Sequence, residues 1–299
     1  MITLRQLRFL TALADELNFS RAAEVCFVTQ PTLSAGLKEL EQILGVQLAE
    51  RSKRHVMLTP IGQQIAERAR ALLLSAHEIE ELAAAHKAPD EGDLRLGAIP
   101  TLGPFLIPRA LPAIRDAYPK LRLYLREEMT ESLLDGLASG RLDVVLIAQP
   151  FDIGTLEAEA LFDDGYHLAS PPGWGSPATG PVSGAELEGA RLMLLEHGHC
   201  LQRHALRAFP DRDIQQDDSF SATSLPTLIS MVSEGLGITL LPDLAIDASV
   251  LAGQRVDIAP LPDACPRHVI LAWRPTSARR PMFQALAEIF RTTRDGLRR

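Results

Sequence analysis

The sequence predicts an α/β protein in three parts: an N-terminal winged helix-turn-helix, a long linker helix and a two-subdomain α/β domain. Two short helical patterns meet at a tight turn within residues 18–45. Apolar residues then recur every three or four positions from residue 60, and strand and helix patterns alternate from residue 92 onward. The predicted domain bounds are therefore 1–59, 60–88 and 89–299.

The first helical pair predicts a helix-turn-helix. Ser20 is placed to cap its first helix, whose small apolar face lets another helix approach closely; that face consists of Ala22, Ala23 and Cys26. After a turn at Phe27 and Val28, the second helix is predicted to begin at the N-cap Thr29 and to end at Gly45. Its buried stripe consists of Leu33, Leu37, Leu40 and Leu44.

The outer face of the second helix is polar and suited to reading DNA. In a helix-turn-helix, the N-terminal residues of this helix enter the major groove, where Gln and hydroxyl groups meet base edges and cations meet phosphates. A basic turn before the strand-like Val56–Leu58 predicts a wing against phosphates, which an ordinary helical hairpin would not need. The predicted DNA contacts are Thr29, Gln30, Pro31, Thr32, Ser34, Lys38, Arg51 and Arg54.

The charge distribution permits this interpretation although the net charge of the chain is −8. Residues 1–60 contain seven Lys or Arg against six Asp or Glu, so the excess of acid lies in the remainder. We expect DNA affinity to depend on a few well-placed cations and on dimerisation. Asp15 and Glu16 interrupt any apolar secretion signal, and no apolar run reaches about 18 residues, so we expect a cytoplasmic protein.

The linker helix carries an apolar stripe that a small winged domain cannot cover. The stripe consists of Ile61, Ile65, Ala69, Leu72, Ala76, Ile79 and Ala83. We expect it to pair with the same helix of a second subunit, the alternative being a helix packed on its own domain. Proline, glycine and charge in residues 87–92 then predict a hinge.

Strands alternating with helices after residue 92 predict a mostly parallel sheet covered on both faces. The strands are expected at 94–99, 121–126, 144–148, 165–169, 191–195, 237–242 and 269–273, and the helices at 106–118, 130–139, 223–234 and 280–293. Ligands bind at the carboxyl ends of strands in such sheets. Thr101 follows the first strand and Thr130 opens the helix after the second, so their hydroxyl groups should meet at that end.

Four segments together resemble the LysR-type transcriptional regulators: Ala22–Ala23, Thr29–Ser34, Leu40–Arg51 and Leu58–Gly62. The resemblance covers the whole chain. It implies an activator with a periplasmic-binding-protein-like effector domain, whose subdomains would span about 93–162 plus 267–299 and about 163–266 with a cleft between them. It also implies homodimers assembling to a homotetramer on double-stranded promoter DNA, contact with RNA polymerase, and neither cofactor nor enzymatic activity.

Within the effector domain, residues 192–201, 223–228 and 237–242 resemble the peroxide-sensing OxyR branch of that family. This resemblance implies that Cys200 is a redox sensor and that hydrogen peroxide is held by Thr101, Thr130, Gly198, His199 and Thr223. The chemistry of the segment agrees. A thiol near a helix N-terminus, with His199 and Arg203 nearby in sequence, has the electropositive surroundings that stabilise the reactive thiolate.

The sequence departs from that branch at one position. The branch has a second, resolving cysteine nine residues after the sensor, and this chain has Phe209 there. Cys26 lies on an apolar helix face, and nothing in the sequence places Cys265 near Cys200. We therefore expect a one-cysteine switch that ends in a sulfenic acid or in a mixed disulfide with a small thiol.

Three other interpretations of the Cys200 region are possible. The first is a regulator of the same type whose cleft binds a small organic effector, with Cys200 incidental. The second is a metal site, since four soft or borderline ligands lie close together: His197, His199, Cys200 and His204. The third is a cysteine hydrolase, for which the sequence supplies no clear orienting carboxylate.

Overall fold

The structure, a computed structural model, describes residues 1–51, 56–88, 90–174, 180–196, 200–212 and 214–298. The chain divides into two compact units. The first comprises Met1–Ala84 with Ala138–Gly140, and the second comprises Ala85–Leu137 with Arg141–Arg299. Among the described residues, no helix is both long enough and apolar enough to cross a membrane.

The first unit is a winged helix-turn-helix followed by a long helix, as predicted. Its elements are α1 (Leu4–Glu16), α2 (Phe19–Val25), α3 (Gln30–Leu44), β1 (Ala49–Arg51), β2 (Val56–Leu58) and α4 (Pro60–Lys87). The antiparallel pair of β1 and β2 forms the wing. One core joins α1, α2 and α3 to the start of α4, and it includes Leu10, Leu13, Ala22, Leu33, Leu40 and Ala66.

The capping residues of the helix-turn-helix explain its local geometry. Thr29 caps α3 and accepts a hydrogen bond from Thr32 N at 3.4 Å, and Gly45 ends the helix at a φ of 68°. The predicted cap of α2 at Ser20 is wrong. The helix begins at Phe19, two residues earlier than a cap at Ser20 would allow, because the Asn18 side-chain oxygen accepts from the backbone N–H groups of Ser20 and Arg21, at 2.9 and 3.1 Å.

The first turns of the linker helix α4 pack against the helix-turn-helix of the same chain. Ala66 and Ala69 are buried, and a side chain at Gly62 would have its Cβ only 2.0 Å from the Leu48 carbonyl oxygen. Further along, Leu72 and Ile79 are 54% and 70% exposed. Ala69, predicted in the stripe that pairs with a second subunit, is therefore already buried, whereas Leu72 and Ile79 of the same stripe are exposed.

The second unit contains the remaining elements. They are β3 (Gly92–Ala98), α5 (Gly103–Ala117), β4 (Leu121–Glu127), α6 (Thr130–Ala138), β5 (Val144–Gln149), β6 (Glu157–Asp164), β7 (Tyr166–Ser170), β8 (Arg191–Leu195), α7 (Cys200–Arg207), β9 (Gln215–Ala222), α8 (Leu225–Ser233), β10 (Thr239–Pro242), α9 (Asp243–Asp247), β11 (Asp257–Pro260), β12 (Arg267–Trp273) and α10 (Arg280–Leu297), with a 3-10 turn at Gly184–Leu187.

Two groups of strands define two subdomains in this unit, as expected. A five-stranded sheet has the order β4-β3-β5-β12-β6. The other group comprises a three-stranded sheet, β10-β7-β11, and the parallel pair β8-β9, linked by a bridge between Leu192 and Ile238. The chain leaves the first sheet after β6 and returns to it as β12, so it crosses twice between the subdomains.

The sheets are mixed, which corrects the prediction of a mostly parallel arrangement. β3 pairs in parallel with β4 and β5, but β12 is antiparallel to both β5 and β6. In the three-stranded sheet β7 is antiparallel to both of its neighbours. The cause is the double crossover: β12 enters the first sheet from the opposite direction, and the alternating pattern along the chain does not reveal this.

Candidate functional site

The outer face of α3 is accessible over the predicted DNA-reading residues. Thr29, Gln30, Pro31, Thr32 and Lys38 are exposed, and Ser34 is half-buried. The hydroxyl groups of Thr29 and Thr32 lie 2.8 Å apart, so the start of the helix is held by its own side chains. Arg54 lies outside the described residues, and the structure describes Arg51 at the end of β1 without its side chain.

In the second unit, a buried ion pair fixes the first of the two predicted threonines. Arg267 donates to the Thr101 hydroxyl oxygen at 2.8 Å and to the Thr101 carbonyl oxygen at 3.1 Å. The same guanidinium donates to Asp164 Oδ2 at 3.1 and 2.8 Å, and both charged side chains are fully buried. Because the Thr101 oxygen accepts from Arg267, the hydroxyl proton remains able to donate to a ligand.

Thr130 is the first residue of α6 and is completely buried. Its hydroxyl oxygen has no hydrogen-bond partner among the described residues. A buried hydroxyl group left in this state costs free energy, which a bound polar molecule could recover. Thr101 and Thr130 both follow the carboxyl ends of their strands, β3 and β4, as predicted.

The predicted sensor is the first residue of α7. The structure describes the backbone of Cys200 there, while the Cys200 side chain, Gly198 and His199 lie outside the described residues. The partial positive charge of a helix N-terminus favours a thiolate at this position. The last predicted ligand residue, Thr223, is exposed in the segment between β9 and α8. The adjacent Ser224 is the N-cap of α8, so this helix begins at Leu225 and not at Thr223.

One turn after Cys200, His204 is buried in a cationic environment. Burial, together with the charges of Arg267, Arg203 and Arg207, lowers the pKa of His204 to about 3. His204 is therefore neutral at physiological pH. Neither ring nitrogen has a hydrogen-bond partner within the described part of the chain.

A cavity of about 440 Å³ lies between the two subdomains. One wall comes from the first sheet and the segment after β5, and the other comes from β7, α7 and the loop before β12. The lining residues are Gln149, Pro150, Phe151, Tyr166, His204, Arg207, Cys265, Pro266, Arg267 and His268. Most of its polar groups are cationic or neutral, so the cavity suits an anion or a small polar molecule.

The region of the missing resolving cysteine is firmly packed. Phe209 is 4% exposed, and a Cβ added to Gly184 would approach its ring to 2.4 Å. Beside it, the backbone N–H of Cys265 donates to the Ala208 carbonyl oxygen at 2.7 Å. Cys265 is exposed, so a thiol lies next to the end of α7. Cys26, in the first unit, is half-buried, and burial raises the pKa of its thiol.

For the metal-site interpretation, no group of three or more His, Cys, Asp or Glu side chains in the described residues could hold a metal ion. His197 and His199 lie outside those residues, as does the side chain of Cys200, so only His204 of the four proposed ligands is described in full. The sequence pattern did not indicate the buried pair of Arg267 and Asp164. Only the four-residue spacing from Cys200 could have indicated a role for His204 beside the sensor.

A winged helix-turn-helix, a long helix and a two-subdomain domain with a polar cleft define a DNA-binding regulator that responds to a signal. The family models agree: the LysR family of bacterial regulatory helix-turn-helix proteins matches residues 4–63, and the LysR substrate binding domain matches residues 87–295. The chain belongs to the LysR family of transcriptional regulators.

Several relatives are similar over most of their length. The HTH-type transcriptional regulator EstR of Acinetobacter baylyi is 42% identical over 249 residues, covering 83% of this chain and 82% of the relative. The hydrogen peroxide-inducible genes activator of Escherichia coli O157:H7 is 38% identical over 300 residues, covering 99% and 97%. A full-length OxyR variant of Pseudomonas aeruginosa superposes with a TM-score of 0.76 at 36% identity, covering 97% and 95%.

Proposed function

We propose that this regulator responds to hydrogen peroxide through oxidation of Cys200. One observation carries the proposal: the buried Thr130 hydroxyl lacks a partner among the described residues, and Arg267 holds the Thr101 hydroxyl with its proton available. Two such hydroxyl groups following neighbouring strands suit a small ligand that both donates and accepts hydrogen bonds. Gly198, His199 and Thr223 complete the proposed peroxide site.

The proposed reaction follows from the position of Cys200 at the start of α7. The Cys200 thiolate attacks one oxygen of hydrogen peroxide, the O–O bond breaks, and the other oxygen takes up a proton and leaves as water. The sulfur is oxidised to a sulfenic acid and the peroxide is reduced. Hydroxyl donors at Thr101 and Thr130 would stabilise the negative charge that develops on the leaving oxygen.

The test is a peroxide titration of promoter binding by the full-length protein. We expect the wild-type protein to change its promoter footprint with added peroxide and Cys200→Ser to lose this response completely while still binding DNA. Cys26→Ser is the matched control, because it also removes one thiol but leaves the sensor intact. A Cys200→Ser protein that still responds to peroxide would exclude this mechanism.

We propose that the outer face of α3 reads the promoter and that the wing contacts phosphate. The reading residues are Thr29, Gln30, Pro31, Thr32, Ser34 and Lys38, and the phosphate contacts are Arg51 and Arg54. The exposure of the α3 side chains and the helix cap at Thr29 support this docking.

Gln30→Ala should cost about 1–3 kcal/mol at the specific site and relax base preference, because it removes a base contact. Arg54→Ala should weaken binding to all sequences alike and reduce the salt dependence, because it removes a phosphate contact. Binding assays on a specific and a scrambled duplex at several salt concentrations distinguish the two. If Arg54→Ala changed discrimination and Gln30→Ala did not, the proposed docking would be wrong.

We further propose that the active form is a cytoplasmic homodimer that assembles to a homotetramer on DNA and contacts RNA polymerase. The exposed apolar residues of α4, including Leu72 and Ile79, support pairing of two linker helices. The LysR family assignment supports the remaining partners.

A small organic effector is the second candidate signal, and the cleft favours it. The cavity of about 440 Å³ falls within the size range of sites for small organic ligands, and Arg207 in its lining suits a carboxylate. The test is to add a pool of organic acids without peroxide to Cys200→Ser protein. A change in the promoter footprint would favour this candidate.

A further inference from the structure

Cys265 lies next to the segment in which the peroxide-sensing branch has its resolving cysteine. Its backbone N–H donates to the Ala208 carbonyl at 2.7 Å, and Ala208 immediately precedes Phe209, the residue nine positions after Cys200. The Cys265 thiol is exposed and lines the cavity between the subdomains. Although the residue nine positions after the sensor is a phenylalanine, a cysteine is hydrogen-bonded to the residue just before it.

The same cavity receives one face of α7. His204 and Arg207 line it, and position 200 precedes His204 by four residues, which places the three positions on one side of the helix. His204 is 4% exposed, and neither ring nitrogen has a partner in the described residues. A buried polar group without a partner among the described residues therefore lines the same cavity as Cys265.

We infer that Cys265 is the resolving thiol of this protein; the inference rests on the proposed oxidation of Cys200. The Cys265 sulfur attacks the sulfur of the Cys200 sulfenic acid, the S–O bond breaks, and the hydroxyl group leaves as water with the thiol proton. The product is a disulfide between Cys200 and Cys265. Hydrogen peroxide supplies the oxidising equivalents, and two thiols are oxidised for each peroxide consumed.

The disulfide requires a change in α7. Eight residues of helix separate the backbone of residue 200 from that of residue 208 by about 12 Å, whereas a disulfide needs Cα atoms roughly 4.4–6.8 Å apart. The first turns of α7 must therefore open, and a segment of this length can reach Cys265 because extended chain spans about 3.3 Å per residue.

α7 is suited to such an opening. It has eight residues, which is below the length at which a helix is stable alone, so packing holds it in place. The unpartnered ring of His204 weakens that packing, because opening would let its nitrogens bind water. Phe209 and Cys265 at the far end are anchored, by the Gly184 backbone and by Ala208 respectively. Oxidation would thus remodel the start of α7 and leave its end in place.

The experiment is intact-mass and peptide mass spectrometry of the full-length protein after graded peroxide and alkylation of free thiols. We expect wild-type protein to lose two hydrogen atoms and to yield a linked peptide containing Cys200 and Cys265. Cys265→Ser should instead gain one oxygen and then two at Cys200, with over-oxidation beginning at lower peroxide than in the wild type. Cys26→Ser, which also leaves two thiols, should behave as the wild type does.

The outcomes separate this inference from the proposed function. If the wild type gains oxygen or small-thiol mass at Cys200 and Cys265→Ser behaves identically, the one-cysteine switch operates and the inference is overturned while the proposed function stands. If Cys200 is not oxidised in any variant, both are overturned. Because Cys265 is exposed and its hydrogen bond to Ala208 uses the backbone, the serine variant retains the contacts that the fold requires; Cys265→Ala provides a second check.

Discussion

Arg267→Met is expected to lower the free energy of unfolding of the second unit by about 3–5 kcal/mol, because it removes one partner of a buried ion pair. Asp164 would then be left charged and fully buried, with the Leu244 backbone N–H at 2.8 Å and Arg294 at 3.9 Å as its remaining partners. Thr101 would lose two hydrogen bonds in the same change. The midpoint of urea unfolding should fall accordingly.

Tryptophan fluorescence provides the measurement. The chain has two tryptophans, Trp174 and Trp273, and both belong to the second unit. Trp273 is buried on β12, the strand that begins at Arg267. Its emission therefore reports unfolding of the unit in which the ion pair lies.

Arg122→Met is the matched control. Arg122 also pairs with an aspartate, Asp93, at 2.5 Å, but its side chain is 71% exposed. Such surface pairs contribute about 0–1 kcal/mol. If the two variants lost equal stability, the buried pair would not have the role assigned to it. The double variant Arg267→Met with Asp164→Leu should recover part of the loss, because no uncompensated charge remains buried.

Acidification from pH 7 to pH 5 is expected to cost about 2 kcal/mol of stability through His204 alone. Burial, assisted by Arg267, Arg203 and Arg207, lowers the pKa of His204 from 6.5 to about 3 in the folded protein. Between these values the unfolded chain binds a proton that the folded protein does not. Protons therefore favour unfolding, so the contribution of His204 is fully present above pH 6.5 and is lost as the pH falls from 6.5 toward 3.

The readout is the slope of unfolding free energy against pH, obtained from urea titrations between pH 5 and pH 7.5. His204→Asn cannot titrate in this range and should have a smaller slope than the wild type, whatever its stability at pH 7. Equal slopes would mean that folding does not change the pKa of His204, which would contradict the prediction. The pH-independent cost of the substitution does not affect the slope. All other titrating groups are common to both proteins, so the difference between the two slopes reports His204.

The helix-turn-helix was predictable from sequence because its information is local. The N-cap at Thr29, the left-handed Gly45 and the leucine stripe of α3 each act within a few residues, and all three have the predicted roles. The error at Ser20 is equally local: Asn18, two residues earlier, is the cap and accepts from the N–H groups of Ser20 and Arg21. The strands of the second unit with apolar sequences, such as Val144–Gln149, were also located within a residue or two.

Strands that depend on distant partners were not predictable. The polar Gln215–Ala222 forms β9 because β8 pairs with it, although most of its side chains are exposed. Glu157–Asp164 is a strand because β12 returns beside it from the other subdomain. Hydrogen-bonding partners far away in sequence determine these elements, and periodicity carries no signal for them.

For the candidate site, the residue types were readable from the sequence: Cys200 at the start of a helix, threonines after two strands, and a phenylalanine in place of a second cysteine. Their environment depends on the tertiary fold. Arg267 reaches Thr101 and Asp164 across the first subdomain, and Cys265 approaches Ala208 across the second. Burial, ion pairing and the contact of Cys265 with the end of α7 arise from the packing of distant elements, and the spacing of neighbouring residues does not encode them.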